Sequence, residues 1–170
     1  MLFLKEINLA DAEKEYRFFQ EMAEENGYYN CFEPCDFDEF VRTAIPACRD
    51  HARGRNLRPG FVPETSFLLW DDAEIVGVFC VRHYLNAALA NGSGHIGYSI
   101  HPARRGQGYA TRGLALALSE LRAMPDFVDS EIYLHCYEYN QASLRVMLKN
   151  GGRVHHLDRD GYHVRIPRNA

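Results

Sequence analysis

Apolar and polar positions alternate along the chain in a way that divides it into short strands and amphipathic helices. Leu2 to Ile7 reads as a strand, and Asn8 is placed to cap a helix over about Ala10–Glu25. Within that helix Tyr16, Phe19, Met22 and Ala23 recur at helical spacing, and Asn26-Gly27 supplies a stop. A second helix starts at Asp36 or Asp38 and runs through Phe40, Val41 and Ile45, with Pro46 set against its continuity. Arg53–Pro63, with two glycines and two prolines, reads as loop. The pattern then turns β-rich. Ser66–Trp70 and Ile75–Tyr84 form a hairpin about Asp71-Asp72, and a polar connection, Asn86–Ser93, leads to a strand over Gly94–His101 that Pro102 closes. The helix predicted over Gly108–Ala123 carries Ala110, Leu114, Ala117, Leu118 and Leu121 on one face. A strand Glu131–Tyr137, a helix Asn140–Asn150 and a hairpin of Arg153–Leu157 with Tyr162–Ile166 complete the chain. This order of elements implies a layered α/β fold.

Composition narrows the class. At 170 residues the chain fits one domain, 1–170, and 46% hydrophobic with 25% charged residues excludes disorder. The net charge of −4 and the scatter of the nineteen basic residues argue against a nucleic-acid partner. The longest apolar run, Ile75 to Val81, is far shorter than a membrane span, and the N-terminus lacks a signal pattern, so no membrane partner and a cytoplasmic location are expected. Five cysteines are an odd number for a disulfide framework and read as reduced thiols. Cys31 and Cys35 have no second ligand pair at zinc spacing, and His155-His156 reads as a strand end, so no metal is expected.

One loop carries chemistry. A strand ending at Pro102 and a helix starting near Gly108 leave first-turn N–H groups without internal partners, at the positive end of the helix dipole. Gly106 and Gly108 let a diphosphate approach the main chain, Arg104 or Arg105 supplies charge, and Thr111 offers a hydroxyl. The same glycines would also serve as a plain strand-to-helix turn. A P-loop is excluded, because no Lys and Ser or Thr follow the last Gly. A dinucleotide fingerprint is excluded by Thr111 and by the position of the strand past the midpoint of the chain.

Ile96-Gly97-Tyr98-Ser99-Ile100-His101-Pro102 followed by Arg105-Gly106-Gln107-Gly108-Tyr109-Ala110-Thr111 resembles motif A of the GNAT superfamily of N-acetyltransferases, Arg/Gln-x-x-Gly-x-Gly/Ala, matched at Arg105, Gly108 and Ala110. Asn140-Gln141-Ala142-Ser143 with Lys149-Asn150-Gly151 resembles the family's motif B. Arg82–Asn86 with His95–Tyr98 also resembles a bacterial branch of predicted acetyltransferases. The resemblance implies a three-layer α/β (α+β) fold: a mixed, mostly antiparallel central sheet with a splayed parallel strand pair, Gly94–His101 and Glu131–Tyr137, and helices on both faces. It implies acetyl-CoA as cosubstrate. The pantetheine arm would pair with backbone near Ser99 and Ile100, and a bulge at Gly97 or Tyr98 would aim the Ile100 N–H at the thioester carbonyl. The pyrophosphate would take N–H groups from Gly106 to Thr111, and Asn140 and Ser143 would contact the arm or the phosphates. Relatives often dimerise, which makes a homodimer an expectation.

Direct transfer to an amine needs a base and a proton for the departing thiolate. His95 occupies the place where many relatives put a Glu base; His83 and Glu138 are further candidates, and the strand reading of His95 as a carbonyl-bonded histidine stands beside its catalytic one. The acid departs from the family pattern: Met147 stands where many relatives carry Tyr, and Gly152 replaces the usual aromatic. Tyr139 and Tyr98 are the nearest hydroxyls. The acceptor expected is a primary amine of a small molecule or peptide, faced by Tyr28, Tyr29 or Phe32 and by an acidic stretch of Glu24, Glu25, Glu33 and Asp36. The competing class is an idle acyl-CoA sensor, for which Met147 is the main support.

Overall fold

The computed structural model describes residues 1–169 apart from 23, 31, 33 and 34, so Ala23, Cys31 and Glu33 lie outside the described residues. Strands β1 (Leu2–Glu6), β2 (Glu64–Asp71), β3 (Glu74–Arg82) and β4 (Ile96–Ile100) form an antiparallel sheet in that order. Strands β5 (Glu131–Cys136), β6 (Arg153–Leu157) and β7 (Tyr162–Pro167) form a second antiparallel sheet, ordered β5-β7-β6. Alternation along β2 separates two cores. Phe67 and Leu69 pack with Leu114, Ala117, Leu118 and Leu121 of helix α5 (Tyr109–Ala123). Leu68 and Trp70 face the other way, against Phe18 and Phe19 of helix α1 (Ala12–Glu21) and Ile45 of helix α3 (Ile45–Ala52). The expected three layers follow from that alternation. Among the described residues, no helix is long and apolar enough to cross a membrane.

The N-terminal helices differ from the sequence expectation. Asn8 does cap the first turn, accepting from the N–H groups of Ala10 and Asp11, but α1 stops at Glu21. The buried Asn30 amide donates to the Phe19 carbonyl at 2.8 Å, which takes over a helix-end acceptor and frees Met22 to extend. Asn26-Gly27 instead forms a positive-φ turn outside the helix. The second helix is continuous despite Pro46: helix α2 (Phe37–Glu39), capped by Asp36, passes through a π segment at Phe40–Ala44 into α3. There the Ile45 N–H reaches the Phe40 carbonyl, and the widened turn accommodates a proline that has no N–H to donate. The polar connection holds one helical turn, α4 (Ala87–Ala90), capped by Asn86.

Glu15 is fully buried where α1 meets β1, and both its carboxylate oxygens accept from the Asn8 N–H at 3.1 Å. Burial pushes its carboxyl up from 4.5 to about 7, with Asp11 adding to the rise and Lys5 opposing it. The folded protein therefore holds this proton more tightly than the unfolded chain, and stability falls as pH rises from about 4.5 to about 7. Glu15→Gln keeps an acceptor for Asn8 and is expected to stabilise the protein above pH 7 by about 2–3 kcal/mol and to flatten that slope. Urea unfolding at pH 5 and pH 8 measures it; equal gains at both would show that Glu15 does not titrate there.

Candidate active site

Strands β4 and β5 touch at their beginnings and part toward their ends. The His95 N–H donates to the Tyr133 carbonyl at 2.7 Å, and Gly94 bridges Leu134 with antiparallel-type bonding. Gly94 has φ +69°, and a Cβ there would lie 2.2 Å from the Tyr133 carbonyl oxygen, so only glycine permits this close approach. Beyond it the end of β4, at Tyr98–Ile100, and the turn that follows β5, at Tyr139–Asn140, line one cavity of about 830 Å³. The bulge expected at Gly97 or Tyr98 does not occur: the β3–β4 register runs unbroken from Ile96 to Ile100, and the shift lies between Leu69 and Trp70.

The cavity's far wall is the loop before α5. Gly106 (φ +74°) and Gly108 (φ +79°) present open sides, with nothing within 4 Å of where a Cβ would stand. Gly108 is the N-cap of α5, and no side chain caps that end, which leaves the first-turn N–H groups for an anion. Helix α6 (Gln141–Lys149) differs, since the Asn140 side chain accepts from the Ser143 N–H at 3.1 Å. Asn150 joins the two walls, donating to the Thr111 and Val146 carbonyls. Arg105 lines the cavity while donating to the Ile100 carbonyl and pairing with Glu25 at 2.7 Å. Ser99, Ile100, Tyr109, Ala110, Thr111, Asn140 and Ser143 line it as well, whereas Gln107 does not and reaches back to the Ala103 carbonyl. Arg145 and Lys149 add two cations that sequence reasoning missed. Their four-residue spacing from Gln141 was the available signal, because it sets all three on one helix face.

The acid–base candidates separate. His95 is fully buried at the closed end of the V and is absent from the cavity lining. Its Nδ1 accepts from the Tyr133 N–H and its Nε2 faces Asp129 at 3.0 Å, so both ring nitrogens are engaged. Burial lowers its pKa and outweighs Asp129, which keeps the ring neutral. The imidazole fastens the two strands together and has no nitrogen left to act as a base. His83 bonds Thr65 and does not line the cavity, and Glu138 is exposed outside it. Tyr139 lines the cavity, exposed and stacked on Tyr137. The Tyr98 hydroxyl lies 2.8 Å from Ser143 Oγ, with both residues lining the cavity. Burial raises the Tyr98 phenol well above its ordinary value, against the opposing Ser143 bond, and keeps it protonated.

Met147 is buried in the main core, not in the cavity. Gly152 is dictated by packing, since a Cβ there would meet the Met147 carbonyl oxygen and the Val164 side chain at 2.7 Å each. The support that Met147 gave to an idle sensor is therefore withdrawn. On the acceptor side, Tyr29 is exposed, whereas Phe32 is buried against Phe19 and Phe40. The acidic stretch is engaged internally: Glu24 accepts from Asn30, Glu25 pairs with Arg105, and Asp36 caps α2.

A family model for the acetyltransferase (GNAT) domain matches residues 1–153. The chain belongs to the GNAT acetyltransferase family. It is an acyltransferase, and acetyl-CoA is its cosubstrate. Among solved structures, a spermidine N-acetyltransferase SpeG chimera from Vibrio cholerae and hSSAT superposes with TM-score 0.63 at 17% identity, over 99% of this chain and 96% of that one. Mycobacterium smegmatis RimJ, in complex with CoA-disulfide, gives TM-score 0.67 at 20% identity, over 97% and 80%. An aminoglycoside acetyltransferase in complex with coenzyme A gives 0.62 at 14%, over 99% and 96%. These likenesses establish the shared fold. No curated protein matches the sequence at a significant level.

Proposed function

We propose that residues 1–170 act as one cytoplasmic acetyltransferase domain that moves the acetyl group of acetyl-CoA to a primary amine of a small molecule or peptide by direct attack. The observation that carries this reading is the uncapped start of α5, with Gly106 and Gly108 open toward the mouth of the splayed strands. Pyrophosphate fits there, with Arg105 released from Glu25 to meet it and Arg145 and Lys149 available to further phosphate charge. The pantetheine arm then lies along Ser99 and Ile100, between β4 and β5, with the thioester near the narrowing of the V. Holding amine and thioester together supplies much of the rate, and the acceptor's ammonium can give its proton to water to become the neutral amine that attacks.

For the departing thiolate, the Tyr98–Ser143 pair is the donor best supported, because one hydroxyl is hydrogen-bonded to the other beside the cavity. Tyr139 is a second tyrosine that lines it with an exposed ring. The test is thiol release from acetyl-CoA across a panel of polyamines, aminoglycosides and peptide N-termini. Tyr98→Phe is expected to lower kcat on the order of 10²-fold with little change in KM, the usual size for a lost proton donor. If Tyr98→Phe is inert and Tyr139→Phe is slow, the donor is Tyr139. Release with no amine in the panel, despite tight acetyl-CoA binding, would overturn transfer to an amine.

A further inference from the structure

The second sheet carries a histidine row that the acetyl-transfer reading leaves unused. In register, His135 of β5 faces His163 of β7, which faces His156 of β6. The irregularity between Val154 and His156 brings His156 into that row. Because Ile132, Leu134, Val164 and Ile166 point into the core, the row lies on the opposite face of the sheet. The β6–β7 turn then brings Asp158 over two of the three rings.

We propose that His156, Asp158 and His163 form a binding site for a divalent transition metal ion of the zinc type. The Nε2 atoms of both histidines point at one oxygen of Asp158: Oδ2 lies 3.1 Å from His163 and 3.6 Å from His156. Tetrahedral zinc with bonds of about 2.0–2.1 Å separates its ligand atoms by roughly 3.3–3.4 Å, and the two distances bracket that edge. The ligand atoms all lie within 4.8 Å of one another, so a small rotation of the stacked rings (centroids 4.1 Å apart) closes the third edge. The carboxylate is already oriented. Its Oδ1 accepts from the N–H groups of Asp160 and Gly161, at 2.9 and 3.2 Å, which leaves Oδ2 to the histidines. His156 is held from behind as well, its Nδ1 lying 2.7 Å from Nδ1 of His155, as outer groups commonly hold metal-binding imidazoles. The His163 side chain is 3% exposed, whereas those of Asp158 and His156 are 42% and 44% exposed, so the site has a buried floor and an open side for water as a fourth ligand. Imidazole and carboxylate donors suit zinc, cobalt or nickel more than calcium or magnesium. The bound ion would fix the β6–β7 turn beside the end of β5, where His135 packs edge-on against Tyr137 and Tyr137 stacks on Tyr139 of the cavity.

The test uses the tag-free full chain, titrated with ZnCl2 by calorimetry and with CoCl2 by visible absorption. One saturable equivalent is expected. His156→Ala and Asp158→Asn, both at solvent-accessible positions, should each weaken it at least about tenfold, while His51→Ala on α3 should leave it unchanged. Asp158→Asn retains an oxygen for the turn, and metal-free melting curves verify that both variants fold. No saturable binding would overturn the site, and so would binding that survives both hairpin substitutions.

Discussion

Gly108→Val is expected to weaken acetyl-CoA binding by about 100-fold, or roughly 2.7 kcal/mol, with the fold retained. Two effects act at this position. Valine places a branched Cβ in the space where nothing now lies within 4 Å, over the first-turn N–H groups of α5 that would serve as the proposed anion site. It must also adopt φ near +79°, a strain of about 1–3 kcal/mol. Spread over a chain of this size, that strain lowers the melting temperature by several degrees but leaves the protein folded at 20 °C. Calorimetric titration with CoA, paired with a melting curve, separates the two effects. Unchanged affinity in a strained but folded variant would remove the loop from the cofactor site. Gly106→Ala offers a milder comparison, since it adds only a methyl group to the open side of the same loop, at a similar φ of +74°.

Met147→Tyr is expected to lower stability by about 1–3 kcal/mol without raising kcat. At sequence level this substitution restores the family's usual acid. In the fold the side chain is 1% exposed and packed in the core with Leu144 and Val164, and Gly152 abuts its carbonyl oxygen. A tyrosine there overfills the space and buries a hydroxyl that needs a partner. Melting should fall by about 2–12 °C, measured together with the rate of thiol release. A faster enzyme of unchanged stability would mean that position 147 reaches the thioester. Met147→Leu, close in volume, should differ little from the parent.

The two substitutions illustrate how unevenly the sequence could be read. Gly106 and Gly108 were legible because their meaning is local: a strand end, two residues without Cβ and a helix start lie within ten positions. Met147 was misread because a motif position gives a residue type and not the direction of its side chain. His95 stood between a catalytic and a structural role for a related reason. Its neighbours in the chain say strand, but the Tyr133 N–H and Asp129 that occupy its nitrogens come from more than thirty residues away. Arg145 and Lys149 were present as a helical period, yet nothing in that period says that the face they share borders the cavity. The end of α1 escaped notice because the group that completes it, Asn30, arrives from a later loop.

By itself the sequence determined the order of strands and helices, the layered class, the glycine loop before α5 and the family. Those properties rest on local period, glycine conformation and helix-end polarity, which a few adjacent residues settle. The tertiary structure alone decided the splay that begins at Gly94, the burial of His95 and Met147, and the joining of Tyr98 to Ser143. It also decided the gathering of His156, Asp158 and His163 around one carboxylate oxygen. Each of these depends on which faces meet across strands distant in sequence, and that is fixed by packing rather than by spacing along the chain.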